Sequence, residues 1–183
     1  MATVVADMSV SLDGFVADPS DGVEGVFAWY GKPQPEPAAG GPGTGGVGVI
    51  VYGRRTFEIA DGWGGSHPTG APVIVVTHQV PIGWPHENSN VSFDTGGIES
   101  AMAKASQLAG DHQVIALGSP SIIQQCLDLG LVDRIQVKLV PLLLGNGIRL
   151  FGTLAVPIEL ENPEVTEGNG VTHMYYNVLR RAV

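Results

Sequence analysis

The ten residues Val47-Gly48-Val49-Ile50-Val51-Tyr52-Gly53-Arg54-Arg55-Thr56 change character at one glycine. Val47 to Tyr52 is a continuous apolar run of the length of a strand buried on both faces. Gly53 ends it, and a short helix is predicted over Arg54 to Ala60. The same switch recurs downstream. Gln113 to Leu117 reads as a strand, Gly118 ends it, and a helix follows with Ser119 as N-cap, Pro120 at the first helical position and Gly130 beyond its end. Its apolar face is Ile122, Ile123, Cys126 and Leu127.

Working outward, Val73 to Thr77 repeats the buried-strand signal and Val91 to Phe93 is a shorter candidate. Ile98, Ala101, Met102, Ala105, Leu108 and Ala109 recur at helical spacing, with Glu99 in the first turn and Gly110 as the stop. Upstream, Val4 to Val10 is a strand broken by the turn dipeptide Asp13-Gly14, after which Phe15 and Val16 extend. Gly31 to Gly46 carries too much proline and glycine for an interior element and is expected to be a surface loop. The tail reads as extended: Arg134 to Val140, Ile158 to Val165 and Thr172 to Leu179, the last two forming an antiparallel hairpin across Gly168-Asn169-Gly170. Strand and helix alternate over most of the chain. An α/β fold follows, one domain with a mixed central β-sheet flanked by helices and a C-terminal antiparallel hairpin.

Composition bounds the function. With 44% apolar and 15% charged residues in 183, the chain is a packed globule rather than a disordered one. A formal charge of -9 argues against general nucleic-acid binding, because a phosphate polymer would be repelled. The N-terminus shows no signal-peptide pattern and no window is long and apolar enough to span a membrane, so no membrane partner is expected. A lone cysteine, Cys126, makes no internal disulfide, and a reducing cytoplasm fits. No residues show metal-ligand spacing, so no metal is expected.

Gly43-Thr44-Gly45-Gly46-Val47-Gly48 satisfies G-x-G-x-x-G but precedes a strand instead of opening a helix, so it lacks the context that brings pyrophosphate to free helix N–H groups. The strand-glycine-helix junctions at Gly53 and Gly118 supply that context. The first adds Arg54 and Arg55, among only nine basic residues, and guanidinium forks suit a phosphate monoester such as the 2′-phosphate of NADP. Two cations at a helix N-terminus oppose its dipole, a conflict that a bound anion relieves. At the second, Ser119 and Pro120 also read simply as caps. Thr77 and His78 end a strand where open parallel sheets bind ligands, beside an adenosine in this reading. Asp13 leaves the first strand as a candidate proton source, although Asp-Gly is also a plain turn. Trp63, in Asp61-Gly62-Trp63, is a possible aromatic wall.

Five motifs in order, Ser11-Leu12-Asp13-Gly14-Phe15-Val16-Ala17, Gly53-Arg54-Arg55-Thr56-Phe57-Glu58, Pro72 to His78, Gly130-Leu131-Val132-Asp133 and Pro141 to Phe151, resemble the dihydrofolate-reductase-like family that includes the reductase domain of bacterial riboflavin biosynthesis. The resemblance implies a mixed sheet, NADPH across its strand ends, and hydride transfer to a pteridine-like or pyrimidine-like substrate. By position it implies that Gly53, Arg54, Arg55 and Thr56 hold cofactor phosphates, Thr77 and His78 the adenosine side, and Gly118, Ser119, Pro120, Ser121 and Ile122 the turn at the pyrophosphate and nicotinamide. Val16 and Ala17 resemble the segment beside the nicotinamide ring. The H-x-E and P-C-x-x-C ligands of a fused zinc deaminase are absent, so a stand-alone member is expected. The family's usual Gly-Gly at the second junction is Gly118-Ser119 here. The expected function is an NADPH-dependent reductase acting on a small, uncharged heterocycle, in a homodimer as relatives often are. A non-catalytic NADP(H)-binding protein of the same fold is the alternative.

Overall fold

A computed structural model describes residues 2–34, 46–110 and 114–179. Ten strands and four α-helices follow in chain order among them: β1 (Thr3–Ser11), β2 (Phe15–Ala17), α1 (Glu24–Phe27), β3 (Val47–Gly53), α2 (Arg54–Ile59), β4 (Val73–Val76), β5 (Val91–Asp94), α3 (Ile98–Ala109), β6 (Val114–Leu117), α4 (Pro120–Asp128), β7 (Arg134–Val140), β8 (Ile148–Arg149), β9 (Glu164–Gly168) and β10 (Val171–Asn177). Eight strands form one sheet in the order β5-β4-β3-β6-β1-β7-β10-β9, and β2 pairs with β8 in a separate ribbon. The six strands from β5 to β7 are mutually parallel, whereas β10 runs antiparallel to both β7 and β9. This is the mixed sheet expected from the strand-helix alternation.

The core divides across the sheet because successive strand side chains point to opposite faces. On one face Val4, Ala6, Val10, Val49, Val51, Ile74, Ile115, Leu117 and Ile135 pack against Ala101, Met102 and Ala105 of α3 and Ile122, Ile123, Cys126 and Leu127 of α4. On the other, Ile50, Val73, Val75, Val91 and Ala116 meet Phe57 of α2. A smaller cluster of Trp29, Val140 and Val171 covers the β7–β10 side. Helix α3 holds because its buried residues Ile98, Ala101, Met102, Ala105 and Ala109 share one face. Asp94, 1% exposed, fixes its start by accepting hydrogen bonds from Gly96 N–H (2.8 Å) and Ser100 Oγ (3.1 Å) beside Lys104.

Several expectations are corrected. The strand expected over Ile158 to Val165 is replaced by a single bridge between Leu160 and Val178, and pairing begins only at Glu164. That segment holds Pro163, which has no N–H for a ladder. Ser119 stands at the N-cap of α4 without a side-chain capping bond, its hydroxyl being engaged elsewhere. Most of the proline- and glycine-rich segment, residues 35–45, lies outside the described residues, as do Gly43 to Gly45 of the G-x-G-x-x-G pattern and Gln113; Gly46 to Gly48 lead into β3 and open no helix.

Candidate functional site

A cavity of about 690 Å³ runs over one face of the sheet, from the carboxyl ends of β3 and β6, where an open parallel sheet binds ligands, across Asp7 to Ser9 in the middle of β1 to Lys138 of β7. Adjacent ends carry the two glycines singled out in the sequence. Gly53 closes β3 and Gly118 follows β6, and Val51 pairs with Leu117 between them. The two junctions expected separately are thus neighbours.

Ser119 joins them. Its hydroxyl accepts a hydrogen bond from Gly53 N–H (2.9 Å) and donates to Thr56 Oγ1 (2.7 Å), at 2% exposure. Gly53 is tightly spaced: a Cβ there would lie 3.1 Å from Ser121 Oγ. A Cβ on Gly118 would overlap the ring of Tyr52. Neither α2 nor α4 has a side-chain cap, so their leading N–H groups stay directed outward from the helix start, where the dipole favours negative charge. One amide of the proposed anion site, that of Gly53, is nonetheless filled by Ser119.

The paired arginines separate. Arg55 lines the cavity, its Nε donating to Asp21 Oδ1 at 2.8 Å and its Nη2 in ion-pair contact with the same oxygen at 2.6 Å. Arg54 turns the other way, donating from Nε to Glu58 (2.6 Å) and from Nη1 to the Gln79 carbonyl (2.8 Å). Thr77 Oγ1 donates to that same carbonyl at 3.0 Å. Arg54, Thr77 and the neighbouring His78 therefore form a group at the exit of β4, outside the cavity lining. Of the other expected residues, Val16, Ala17, Thr56, Pro120 and Ser121 line the cavity, whereas Ile122, 2% exposed, packs into the core.

Asp13 is also outside the lining. Its carboxylate accepts from Ser11 Oγ (2.6 Å), Leu144 N–H (3.1 Å) and Gly145 N–H (2.6 Å). The Ser11 hydroxyl, with the two amides, holds its pKa below the usual carboxylate value against some desolvation. A carboxylate kept ionised and fully bonded is a clamp between the β1 exit and the 142–147 loop. This geometry gives the expected proton-source role no support.

Trp63, the aromatic wall suggested by the sequence, lines the cavity together with Tyr52, His67, Asp7 and Ser9, to which sequence reasoning gave no role there. Tyr52 lies against Trp63 with ring centroids 4.8 Å apart, and His67 sits 5.0 Å from Trp63 and bonds Tyr52 Oη at 3.2 Å. Burial pushes the Tyr52 phenol well up and the His67 imidazole down, so both stay neutral near pH 7. Trp63 is held by a left-handed turn in which Asp61, Gly62, Trp63, Gly64 and Gly65 all have positive φ, from 46° to 93°. Farther along, Asp7, Ser9 and Lys138 line the cavity beneath Trp29, whose indole N–H donates to Ser9 Oγ (3.1 Å). The overlooked signal is period-two polarity: Asp7, Ser9 and Ser11 alternate with core residues along β1. Among the described residues no group of three or more His, Cys, Asp or Glu could hold a metal ion, and no helix is long and apolar enough to cross a membrane.

The model of the RibD C-terminal domain matches residues 2–173. The chain belongs to that family. Among solved structures, a protein assigned to riboflavin biosynthesis from Shewanella sp. PV-4 superimposes with a TM-score of 0.70 at 25% identity, covering 98% of this chain and all of that one. The diaminohydroxyphosphoribosylaminopyrimidine deaminase/5-amino-6-(5-phosphoribosylamino)uracil reductase of Thermotoga maritima gives 0.60 at 14% identity, over 97% of this chain and 57% of the larger protein. The dihydrofolate reductase of Enterococcus faecalis, in complex with NADP(H) and RAB-propyl, gives 0.61 at 13%, over 96% of both chains. At such identities the last two establish the dihydrofolate-reductase-like fold alone. No curated protein sequence matches this chain.

Proposed function

We propose that this RibD C-terminal domain protein is an NADPH-dependent reductase that transfers hydride to a small heterocyclic substrate of pteridine or pyrimidine type. The observation that carries the reading is the adjacency of the Gly53 and Gly118 junctions, stitched by Ser119, at one end of a cavity large enough for extended ligands. Family membership and the fold shared with an NADP(H)-bound dihydrofolate reductase support it.

In this reading the coenzyme lies across the strand ends in sheet order. Arg54, Thr77 and His78 serve the adenosine side at β4, and Arg55 with Thr56 takes the 2′-phosphate and neighbouring phosphates at β3. Gly118 to Ser121 meet the pyrophosphate at β6, and Val16 and Ala17 border the nicotinamide beside β1. The coenzyme supplies the hydride when bound. The chain's own residues grip phosphates with amides and guanidinium groups, and shield the reacting ring from water with Trp63, Tyr52 and Trp29. Binding would exchange Asp21 for phosphate as the partner of Arg55. A cytoplasmic location and a homodimer complete the proposal.

The alternative is a protein that binds NADP(H) without turnover, a reading favoured by Asp13, whose carboxylate is bonded to Ser11, Leu144 and Gly145 and lies outside the cavity lining. Titration with NADPH, followed by nicotinamide fluorescence, decides whether either holds: no binding at about millimolar coenzyme rejects both. Binding without oxidation across pterins, pyrimidines, flavins and quinones selects the alternative. Arg55→Ala, at the residue that lines the cavity, is expected to weaken NADPH more than NADH, and equal weakening removes the 2′-phosphate assignment.

A further inference from the structure

Beyond the phosphate grip, the sheet continues through β1 to β7 and β10, and there its two faces differ. Val4, Ala6 and Val10 of β1 and Ile135, Val137 and Leu139 of β7 belong to the helix-covered core. The opposite face carries polar residues in register. Ser9, Lys138 and His173 stand side by side, and Asp7, Gln136 and Tyr175 form the next row. Lys138 reaches diagonally to Asp7, with Nζ 2.6 Å from Oδ1 and 2.8 Å from Oδ2.

Two properties set this patch apart. The pair is partly withdrawn from water, with Lys138 21% and Asp7 29% exposed, yet both residues line the cavity. Such pairs are costly to desolvate and are often outmatched in stability by apolar residues. Moreover, among the described residues the only buried side-chain nitrogen or oxygen atoms without a hydrogen-bond partner are Asp7 Oδ1 and His173 Nδ1, both beside Lys138. Oδ1 contacts the ammonium as an ion pair at 2.6 Å without a directional hydrogen bond, whereas His173 Nδ1 has no polar partner. Buried polar groups are nearly always satisfied, and a cluster of exceptions in a cavity needs a partner. Trp29 lies beside the patch, edge-on to His173 at 5.5 Å and bonded to Ser9, and adds an aromatic surface to the cavity lining there.

We infer that the Asp7–Lys138 pair is the substrate-recognition element of the cavity and reads the uncharged lactam edge of a planar heterocycle, the ammonium donating to a ring carbonyl and the carboxylate accepting the adjacent ring N–H. The inference rests on the reductase reading for its location, because the patch lies one strand beyond the proposed nicotinamide position. It goes further by naming the residues that read the substrate and the edge they read. The charged side chains lining the cavity among the described residues are Asp7, Lys138, Asp21 and Arg55, and each is paired with another of the four. With Lys138 neutralised by Asp7, the far end presents a donor and an acceptor side by side and no net charge for a phosphate group.

Lumazine, a fluorescent dioxopteridine with this edge, is the probe, titrated into the full chain saturated with NADP+. Quenching is expected to report binding, weakened roughly tenfold or more by Lys138→Met and by Asp7→Asn, with NADPH affinity unchanged. Asp7→Asn is nearly isosteric and decides the matter should Lys138→Met, which leaves Asp7 without its counter-ion, melt too low. The same variant exposes an unneutralised ammonium, so inorganic phosphate is expected to displace lumazine from Asp7→Asn but not from the unaltered protein. Lumazine binding that is absent, or indifferent to Asp7→Asn, overturns the inference while NADPH binding still stands. Loss of NADPH binding in the unaltered protein overturns the coenzyme reading instead.

Discussion

Cys126 shows how far one side chain can be read from its surroundings. It is fully buried on the apolar face of α4, and burial pushes its thiol up to about 12. The reactive thiolate is scarce at neutral pH, so a thiol reagent is expected to label the folded protein only as it unfolds, with labelling tracking the denaturation curve. Gly118 carries a different constraint. Replacing it with alanine drives a methyl group into the Tyr52 ring, which then moves against Trp63; a loss of about 1–3 kcal/mol and a changed tryptophan emission are expected. The two histidines lowered by burial, His67 and His173, set a pH dependence. Unfolded imidazole takes its proton near 6.5 and the folded forms do so lower, so stability is present above that value and falls as pH drops below it. Melting at about pH 5.5 is therefore expected below that at about pH 7.5, and His67→Gln should lessen the difference. Sequence alone could place Cys126 in the core. It could not show that Tyr52 requires Gly118, because that contact joins strands 66 positions apart in the chain.

At the scale of elements, Ser119 and Asp21 are the connections to test. Ser119→Ala leaves the Gly53 amide and the Thr56 hydroxyl without their buried partner, and unfolding by urea is expected to show a loss of about 1–3 kcal/mol together with weaker NADPH binding. Asp21→Asn removes the carboxylate that occupies Arg55. As the pair is solvent-facing, little stability is at stake, and NADPH affinity is expected to rise about 2- to 10-fold while NADH affinity does not. An unchanged NADPH constant would show that Arg55 does not meet the 2′-phosphate. Helix α3 and the strand-glycine-helix junctions were legible because period, stop residue and dipole agree locally. The expected strand over Ile158 to Val165 misled because its apolar alternation contains Pro163, and pairing that close to a sheet edge is decided by the partner strand. Local sequence likewise makes the Ser119 hydroxyl a cap. Only the neighbouring β3 end, with its competing Gly53 donor, redirects it.

For the whole molecule, the order β5-β4-β3-β6-β1-β7-β10-β9 explains both the success and the limit of reading the chain in line. Motif order was sufficient for the fold, because the parallel strands alternate with helices as such sheets require. It hid the patch at Asp7 and Lys138, which depends on register between strands distant in sequence. The central place of β1 has a further consequence. Both of its neighbours, β6 and β7, come from residues beyond 113, so β1 waits for the chain to pass through β3, β4, β5 and α3 before either flank is covered. Contacts of that range make for slow assembly and a vulnerable nascent chain. A fragment ending near Gly110 is expected to aggregate during synthesis, and residues 1–183 to refold more slowly than a helical bundle of equal length.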